Sequence, residues 1–287
     1  MRNKTKPMMN KYLEPFIINA LTEDVGDGDH SSQSCIPADA EGKVQLLVKE
    51  TGVLAGVDVA FEIFKYLQPD IEINPLLSDG SLVEPGDVAF TIKGKVLTLL
   101  KGERLVLNVM QRMSGIATQT REYVQLVNGL HTKILDTRKT TPGMRFLEKA
   151  AVKIGGGENH RMGLYDMVML KDNHVDFAGG IEKAIKTAQD YLKKIGKDLK
   201  IEIEVRNLNE LQQVLNTGGI HRIMLDNFDT ETTRQAVKMI DGKYETESSG
   251  GITKETLRSY AECGVDYISV GALTHQIKSL DMSLKAI

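Results

Sequence analysis

Two loops near the middle of the chain concentrate basic and hydroxyl side chains. The first loop, 136–143, holds Thr137, Arg138 and Lys139, and the second places His160 and Arg161 after three consecutive glycines. An arginine fork can hold a carboxylate or a phosphate bidentately, a lysine adds a point charge, and hydroxyl groups add neutral donors. We therefore expect both loops to bind an anion. A solvated basic loop and a flexible glycine connector are the alternatives.

A lysine and two carboxylates lie at the ends of later apolar segments. Lys171 and Asp226 each follow such a segment directly, and Glu204 stands near the end of another. Carboxylate oxygens suit Mg²⁺ that is held partly through water and substrate phosphates, and they also suit ribose hydroxyls. We expect Glu204 and Asp226 to form a metal and sugar site, with Lys171 as a further cationic centre. A salt bridge from Lys171 to Asp172 or to a neighbour on the rim is the alternative.

Small residues follow the last two apolar segments. Exposed backbone N–H groups at a helix start bind phosphate well, and barrels commonly bind a phosphate with the loops after their last two strands. The helix after the first of these turns is predicted to have Thr253 as its N-cap. A plain helix-capping turn is the alternative. The candidate phosphate-binding residues are Ser249, Gly250, Gly251, Val270, Gly271 and Ala272.

The elements that would position these residues are short apolar strands alternating with helical patterns. The last four strands begin roughly 20 to 25 residues apart, which is the spacing of parallel βαβ units. Polar residues follow nearly every strand, which favours a barrel over an open doubly wound sheet with one switch point. The predicted strands are 133–135, 166–170, 200–205, 222–225, 244–246 and 267–270.

The first part of the chain has a different pattern. A helix is predicted at 12–21, and its strands alternate between apolar and polar residues, which is typical of antiparallel strands with one wet face. A long helical pattern from about Leu99 to Val127 marks the expected domain junction. The predicted strands are 43–49, 70–74 and 87–93.

Composition excludes several classes of function. The 287 residues carry a net charge of −3 with basic residues spread along the chain, so a nucleic-acid surface is not expected. No apolar run is long enough to span a membrane, and the basic start lacks the apolar core of a signal peptide. Cys35 and Cys263 are the two cysteines. We expect a cytoplasmic protein with small-molecule substrates and no membrane partner.

The chain resembles the quinolinate phosphoribosyltransferase family through long motifs in a fixed order. Several such motifs are far more specific than a lone glycine pattern, and the resemblance spans almost the whole chain. Gly102-Glu103-Arg104 fits as well, and Met144 stands where leucine is expected. The motifs are Asp136-Thr137-Arg138-Lys139-Thr140-Thr141-Pro142-Gly143, Gly155-Gly156-Gly157-Glu158-Asn159-His160-Arg161, Leu170-Lys171-Asp172-Asn173-His174, Leu225-Asp226-Asn227 and Glu247-Ser248-Ser249-Gly250-Gly251.

The resemblance implies the fold and the domain order. The expected fold class is α/β, an incomplete α/β (TIM-like) barrel with an N-terminal α/β open-sandwich domain. The sandwich would occupy 1–116 and the catalytic barrel 117–274. The segment 275–287 would return to the first domain.

The resemblance also implies an activity. Quinolinate and phosphoribosyl pyrophosphate would give nicotinate mononucleotide, pyrophosphate and CO₂, with Mg²⁺ as the metal, in de novo NAD biosynthesis. The catalytic residues would be Lys171, Glu204 and Asp226, and the last two would hold the metal. Arg104 would reach into the barrel of a neighbouring subunit, so the working unit would be a homodimer with shared active sites.

The two substrates would occupy different parts of this site. The quinolinate-binding residues would be Arg104, Thr137, Arg138, His160, Arg161 and Lys171. The residues that bind phosphoribosyl pyrophosphate would be Lys139, Glu204, Asp226, Ser249, Gly250, Gly251, Val270, Gly271 and Ala272.

Three other functions are compatible with parts of this pattern. A nicotinate phosphoribosyltransferase-like enzyme, or another enzyme of the same fold, would act on a different ring, but a monocarboxylate needs fewer cations than this site offers. A Schiff-base aldolase would use Lys171, because barrel lysines at strand ends can form imines. A catalytically silent barrel would bind a ligand without turnover.

Overall fold

The computed structural model describes residues 6–287. The elements in chain order are α1 (Lys6–Val25), α2 (His30–Cys35), β1 (Glu41–Val48), β2 (Gly52–Val53), α3 (Val57–Leu67), β3 (Glu72–Pro75), β4 (Leu82–Val83), β5 (Val88–Lys95), α4 (Val96–Leu126), β6 (Lys133–Leu135), α5 (Arg145–Ile154), β7 (Val168–Leu170), α6 (Asp172–Ala178), α7 (Ile181–Ile195), β8 (Ile201–Val205), α8 (Leu208–Thr217), β9 (Arg222–Asp226), α9 (Thr230–Ile240), β10 (Glu245–Ser249), α10 (Lys254–Ala261), β11 (Tyr267–Ser269), α11 (Ala272–His275) and β12 (Met282–Ala286).

The chain forms two compact units. The first contains the described residues up to Arg121 together with Thr140–Gly156 and Leu273–Ile287, and the second contains Glu122–Lys139 and Gly157–Ala272. The segment Thr140–Gly156 groups with the first unit because Glu148 of α5 is buried against α4. There Arg112 donates from Nε to Oε1 of Glu148 at 2.7 Å and from Nη2 to Oγ1 of Thr141 at 2.8 Å.

The first unit is built on a four-stranded sheet with the order β12-β1-β5-β3. Its neighbouring strands are antiparallel, and β12 pairs with β1 from Val44↔Ala286 to Val48↔Met282. Side chains alternate as the sequence pattern requires, so Leu46 and Val48 are buried. The apolar face of α3 is also buried, and Phe61 packs edge-on against Phe90 of β5 with ring centroids 5.2 Å apart.

The second unit contains a six-stranded sheet with the order β6-β11-β10-β9-β8-β7. Every neighbouring pair is parallel. Among the described residues, no strand pairing joins β6 to β7, so the ring of strands stays open there. The amphipathic helices between the strands bury one apolar face each, for example Ile185 of α7 and Leu211 of α8. The predicted incomplete barrel is therefore confirmed.

Most predicted elements are present with bounds that differ by one or two residues, and two strands of the second unit differ at polar residues. The strand predicted at 166–170 begins only at Val168, because Asp166 caps a turn by accepting from the N–H groups of Met162 and Gly163 at 2.7 and 2.8 Å. The strand predicted at 244–246 is β10 and continues to Ser249. Glu247 and Ser248 are buried strand residues, although the sequence interpretation placed them in the following turn.

None of the helices in the described part of the chain combines the length and apolar character that a bilayer crossing needs.

Asp79 gives the first unit a measurable pH dependence. Its Oδ1 accepts from the Val57 N–H at 2.8 Å at the start of α3. Burial raises the pKa of Asp79 to about 6, although this hydrogen bond acts in the opposite direction. A carboxyl whose pKa is higher in the folded state than in the unfolded state favours folding below its unfolded pKa. That contribution is lost as pH rises through the folded pKa.

The parent chain should lose stability between about pH 4 and pH 7 as Asp79 ionises. We predict that the Asp79→Asn variant does not show this loss. Urea denaturation at both pH values measures it. The free energy of unfolding of the variant minus that of the parent should increase by as much as about 3 kcal/mol across this range, since one pKa unit corresponds to about 1.4 kcal/mol. Parallel pH profiles for the two proteins would contradict the assignment.

Candidate active site

The carboxyl ends of the six parallel strands collect most of the predicted site residues. Since these strands all run the same way, the residues that follow them lie along one edge of the second unit. Arg138 follows β6, Lys171 follows β7, and Glu204 lies near the end of β8. Asp226 ends β9, and Ser249 ends β10. The structure therefore places cations, carboxylates and glycine turns on one rim.

The loop after β6 and the segment containing His160 form the cationic part of this rim. Thr137 stabilises the first loop, because its Oγ1 accepts from the Lys139 N–H at 3.0 Å. Burial lowers the pKa of the Arg161 guanidinium, and the nearby charge of Arg138 lowers it further. Arg161 Nη1 donates to the Met167 carbonyl at 3.4 Å. Two guanidinium groups that repel each other form a site that an anion would stabilise.

Asp136 ties these two segments together. Its carboxylate is buried and accepts from the His160 N–H at Oδ1, 2.9 Å away, and from the Asn159 side-chain amide at Oδ2. The backbone adds two bonds, because Glu158 donates to Ile134 and accepts from Asp136. Asp136 and Asn159 stand inside the quoted motifs, yet the sequence interpretation gave them no role. Their position beside basic residues in both motifs was the available signal.

Lys171, Glu204 and Asp226 form the acidic part of the rim. Lys171 Nζ lies 3.6 Å from Glu204 Oε2, so the alternative of a salt bridge to a neighbour on the rim is present in the structure. Burial raises the pKa of Glu204, the charge of Lys171 opposes that effect, and the charge of Asp226 adds to it. Two carboxylates that repel each other at a half-buried rim are a suitable donor set for Mg²⁺, which binds through few carboxylates. The residues present fit the predicted metal.

The turn after β10 requires glycine at a defined position. Gly250 has φ of +98°, and a Cβ added there would lie 2.2 Å from Asn227 Oδ1. Asn227, itself at φ of 55°, donates from its backbone N–H to the Ser249 carbonyl at 2.9 Å. The turns after β9 and β10 are therefore packed against each other. Thr253 is the N-cap of α10, as predicted.

The other phosphate candidates lie at the end of β11. Val270 donates from its N–H to the Leu135 carbonyl at 3.0 Å, so this turn is fixed to the end of β6. Gly271 and Ala272 follow it, and Ala272 begins α11. Whether these turns bind phosphate stays a prediction.

Behind the rim, the sheet interior holds a buried ionic cluster that the sequence interpretation missed. It consists of His160, Glu202 of β8, Arg222 of β9 and Glu247 of β10. His160 Nε2 lies 3.0 Å from Glu202 Oε2 and 3.5 Å from Glu247 Oε2, and Arg222 Nη1 lies 3.0 Å from Glu247 Oε2. All four side chains are buried. The signal was the charge at alternate positions of successive strands, which points these groups to one side of the sheet.

The buried groups of this cluster shift one another's pKa values. Burial and the charge of Glu247 raise the pKa of Glu202 to about 7. Burial lowers the pKa of His160, but the two carboxylates outweigh it and raise it. Because Nδ1 accepts from the Arg161 N–H, the ring proton in this structure is on Nε2, the nitrogen that faces the carboxylates. The imidazole and two carboxylates have the types and spacing of a metal site. The Arg222 guanidinium already supplies a positive charge at Glu247, so we assign no metal to this cluster.

Arg104 belongs to the first unit, whereas the residues of this rim belong to the second unit. It is an exposed residue of α4, two positions after the buried Gly102. A Cβ added at Gly102 would lie 2.8 Å from the Phe64 ring, so glycine allows α4 and α3 to pack closely there. The role of Arg104 in a neighbouring subunit stays a prediction.

The fold and this rim define an α/β-barrel protein whose basic side chains, carboxylates and glycine turns lie at the carboxyl ends of the parallel strands. Residues 29–114 match the family described as "Quinolinate phosphoribosyl transferase, N-terminal domain", and residues 116–285 match the family described as "Quinolinate phosphoribosyl transferase, C-terminal domain".

Individual relatives agree with this match. The decarboxylating quinolinate phosphoribosyltransferase 2b of Nicotiana tabacum, named as mitochondrial, is 43% identical over 281 residues, which are 93% of this chain and 80% of that protein. The chloroplastic nicotinate-nucleotide pyrophosphorylase (carboxylating) of Arabidopsis thaliana is 43% identical over 288 residues, 95% of this chain and 82% of that protein. The crystal structure of NadC from Streptococcus pyogenes superimposes with a TM-score of 0.90 at 37% identity and covers 100% of both chains. The chain belongs to the quinolinate phosphoribosyltransferase family.

The close packing at Gly250 leads to a stability prediction. Gly250→Ala should lower the free energy of unfolding by about 2 to 4 kcal/mol, because the variant adds both left-handed strain and a clash with Asn227. Gly242→Ala is the matched control, since Gly242 has φ of +68° and nothing within 4 Å of an added Cβ. Equal losses in the two variants by urea denaturation would show that Gly250 is not closely packed.

Proposed function

We propose that this chain transfers the phosphoribosyl group of phosphoribosyl pyrophosphate to quinolinate, with loss of CO₂. The products are nicotinate mononucleotide and pyrophosphate, in de novo NAD biosynthesis. The main support for this proposal is that two like-charged guanidinium groups, those of Arg138 and Arg161, lie near each other. The carboxylates of Glu204 and Asp226 lie on the same rim. The names of the relatives support the choice of substrates.

In this proposal the cationic part of the rim binds quinolinate. Two carboxylates on one ring relieve the repulsion between Arg138 and Arg161, and Lys171 and the hydroxyl of Thr137 add further donors. His160 belongs to the predicted set, although its ring is buried against Glu202 and Glu247. Arg104 completes the set from a second subunit.

Phosphoribosyl pyrophosphate occupies the acidic part of the rim and the glycine turns. Glu204 and Asp226 would hold Mg²⁺ and contact ribose hydroxyls, and Lys139 would lie at the pyrophosphate. Bound Mg²⁺ would neutralise charge on the pyrophosphate leaving group. The 5′-phosphate binds at the backbone N–H groups of the turns after β10 and β11. The residues in these turns are Ser249, Gly250, Gly251, Val270, Gly271 and Ala272.

The chain accelerates the reaction chiefly by positioning two anions that repel each other in solution. The pyridine nitrogen attacks the anomeric carbon as pyrophosphate leaves, and Glu204 and Asp226 stabilise the positive charge that develops on the sugar. Alignment of two reactants is worth about 7 to 11 kcal/mol in favourable cases. The carboxylate beside the quaternary nitrogen then departs as CO₂, because the carbanion left behind lies next to a positive charge. A proton from solvent then adds to that carbon and gives nicotinate mononucleotide. Lys171 and Arg161 hold the ring during these steps.

We also propose a cytoplasmic homodimer with shared active sites. The predicted reach of Arg104 requires a second subunit. The exposed free thiol of Cys35 is compatible with a reducing compartment.

The substrate is tested by comparing quinolinate with nicotinate. Purified protein with Mg²⁺ and phosphoribosyl pyrophosphate should release CO₂ and pyrophosphate in equal amounts from quinolinate, and nicotinate should give less than about 1% of that turnover, since a site built for two carboxylates is left with unpaired cations. Labelled quinolinate and a pyrophosphate assay provide the measurement. Preferred turnover of nicotinate, or no turnover of either ring, would overturn the proposed function.

Arg161 is the residue whose removal should cost most on the cationic side. We expect Arg161→Ala to lose about 2 to 4 kcal/mol of transition-state stabilisation, which is about 30- to 1,000-fold in kcat/KM for quinolinate. Arg234→Ala, at an exposed position of α9, is the control and should keep normal kinetics. A near-normal kcat/KM in the Arg161 variant would count against its assignment.

Shared sites are tested by complementation. Arg104→Ala and Lys171→Ala subunits should each be inactive alone. A verified heterodimer of the two contains one site with every residue intact, so it should recover about half of the parent activity per dimer. Heterodimers without recovered activity would indicate that each site is built from one chain.

A further inference from the structure

The buried cluster is connected to the anion site through one residue. His160 is the only member that is followed directly by a predicted substrate-binding arginine, and the Arg161 N–H donates to His160 Nδ1 at 2.7 Å. On the other side of the ring, Nε2 faces Glu202 and Glu247. Both ring nitrogens therefore have partners within the protein, and the imidazole stands between the buried carboxylates and the backbone of Arg161.

Two anchors together define the path of this segment. Asp136 holds the backbone N–H of His160 at 2.9 Å, while Glu202 and Glu247 hold the side chain. Loss of the side-chain anchor would remove the contacts that Nε2 makes with the two buried carboxylates and weaken the hold on this segment. The Arg161 guanidinium, which must stay near the like charge of Arg138, would then be free to move away from it.

Glu247 is itself held in place by Arg222. The Arg222 fork contacts Glu247 through Nη1 at 3.0 Å and Glu245 through Nη2 at 3.0 Å, and its plane lies over the Tyr267 ring, 4.0 Å from the centroid. Glu245 is the outer partner, a third exposed and also paired with Lys200 at 3.0 Å. The inner carboxylates thus face His160, and the outer one faces Lys200.

We propose that Glu202 and Glu247 are positioning residues for the anion site: they hold the His160 imidazole, and through it they keep Arg161 beside Arg138 where quinolinate binds. Neither glutamate contacts the substrate. This inference rests on the proposed function and assigns to it two buried carboxylates that the predicted site did not include.

The direction in which the quinolinate Kd changes on removal of the Glu202 carboxylate distinguishes a positioning role from a purely electrostatic one. Glu202 is a negative charge behind a site for an anion, so Coulombic repulsion alone would make its removal strengthen quinolinate binding. Positioning has the opposite consequence, because Glu202→Gln removes the charged contact at 3.0 Å from Nε2, loosens the ring and weakens binding. The Kd for quinolinate therefore distinguishes the two by direction.

The test measures quinolinate Kd by calorimetry, both KM values and Tm in the parent chain, Glu202→Gln and Glu247→Gln. We expect the Kd and KM for quinolinate to rise by about 10-fold in each variant, and the KM for phosphoribosyl pyrophosphate to stay within about twofold. Glu245→Gln is the matched control, since it removes a carboxylate from the same Arg222 fork on the side away from His160. Its quinolinate Kd should stay within about twofold of the parent value.

A double-mutant cycle tests the route through Arg161. In an Arg161→Lys background, Glu202→Gln should change the quinolinate Kd by less than about twofold, because the group that it positions has been replaced. Tighter quinolinate binding in Glu202→Gln, an equal effect in Glu245→Gln, or additive effects in the cycle would each overturn the proposal.

A variant that does not fold and a parent chain without the proposed activity are both distinguished from failure of the positioning role. If Glu202→Gln does not fold, as judged by circular dichroism and Tm, the same measurements on Glu202→Asp decide the question, because the shorter carboxylate keeps the charge and loses the contact at 3.0 Å. If the parent chain neither binds nor converts quinolinate, the proposed function fails. An unchanged Kd in folded variants of an active parent overturns the positioning role alone.

Discussion

The structure of the second unit depends on holding like charges close together at the edge of a parallel sheet. Arg138 and Arg161 repel each other, and Glu204 and Asp226 do so a few strands away. Repulsion of this kind costs stability unless the backbone is fixed from outside the site. Asp136 supplies that fixation for the cations, because its buried carboxylate joins the end of β6 to the segment that carries His160. Substrate anions and a cation would then restore the charge balance.

Lys171 lies where the cationic part of this rim adjoins the acidic part. Its contact with Glu204 links the part assigned to quinolinate with the part assigned to the sugar. On the far side, Gly250 lets the turn after β10 approach Asn227, and this turn consists of small uncharged residues, as the prediction of a phosphate site requires. This order of cations, carboxylates and neutral turns around one edge matches a pair of substrates that differ in charge along their length.

The sequence predicted the rim much better than the interior behind it. Strand ends carry local signals, so 133–135 matched β6 and the loops after six strands were found in the correct order. The contacts among His160, Glu202 and Glu247 depend instead on strand register and on three separate segments, which no single segment specifies. Asp166 was taken as a strand residue because its hydrogen bonds to Met162 and Gly163 form only when the preceding turn is closed. Residues 140–156 group with α4 through Arg112 and Glu148, a contact between positions 36 apart in sequence.

The convergence of two anion sites on one rim is tested most directly by a crystal structure with quinolinate and an unreactive analogue of phosphoribosyl pyrophosphate. We expect the ring carboxylates at Arg138, Arg161 and Lys171, the ribose at Glu204 and Asp226, and the 5′-phosphate at Gly250, with the ring nitrogen facing the anomeric carbon at about 3 to 3.5 Å. Ligands that bind on separate surfaces, or a ring nitrogen turned away from the sugar, would contradict the account.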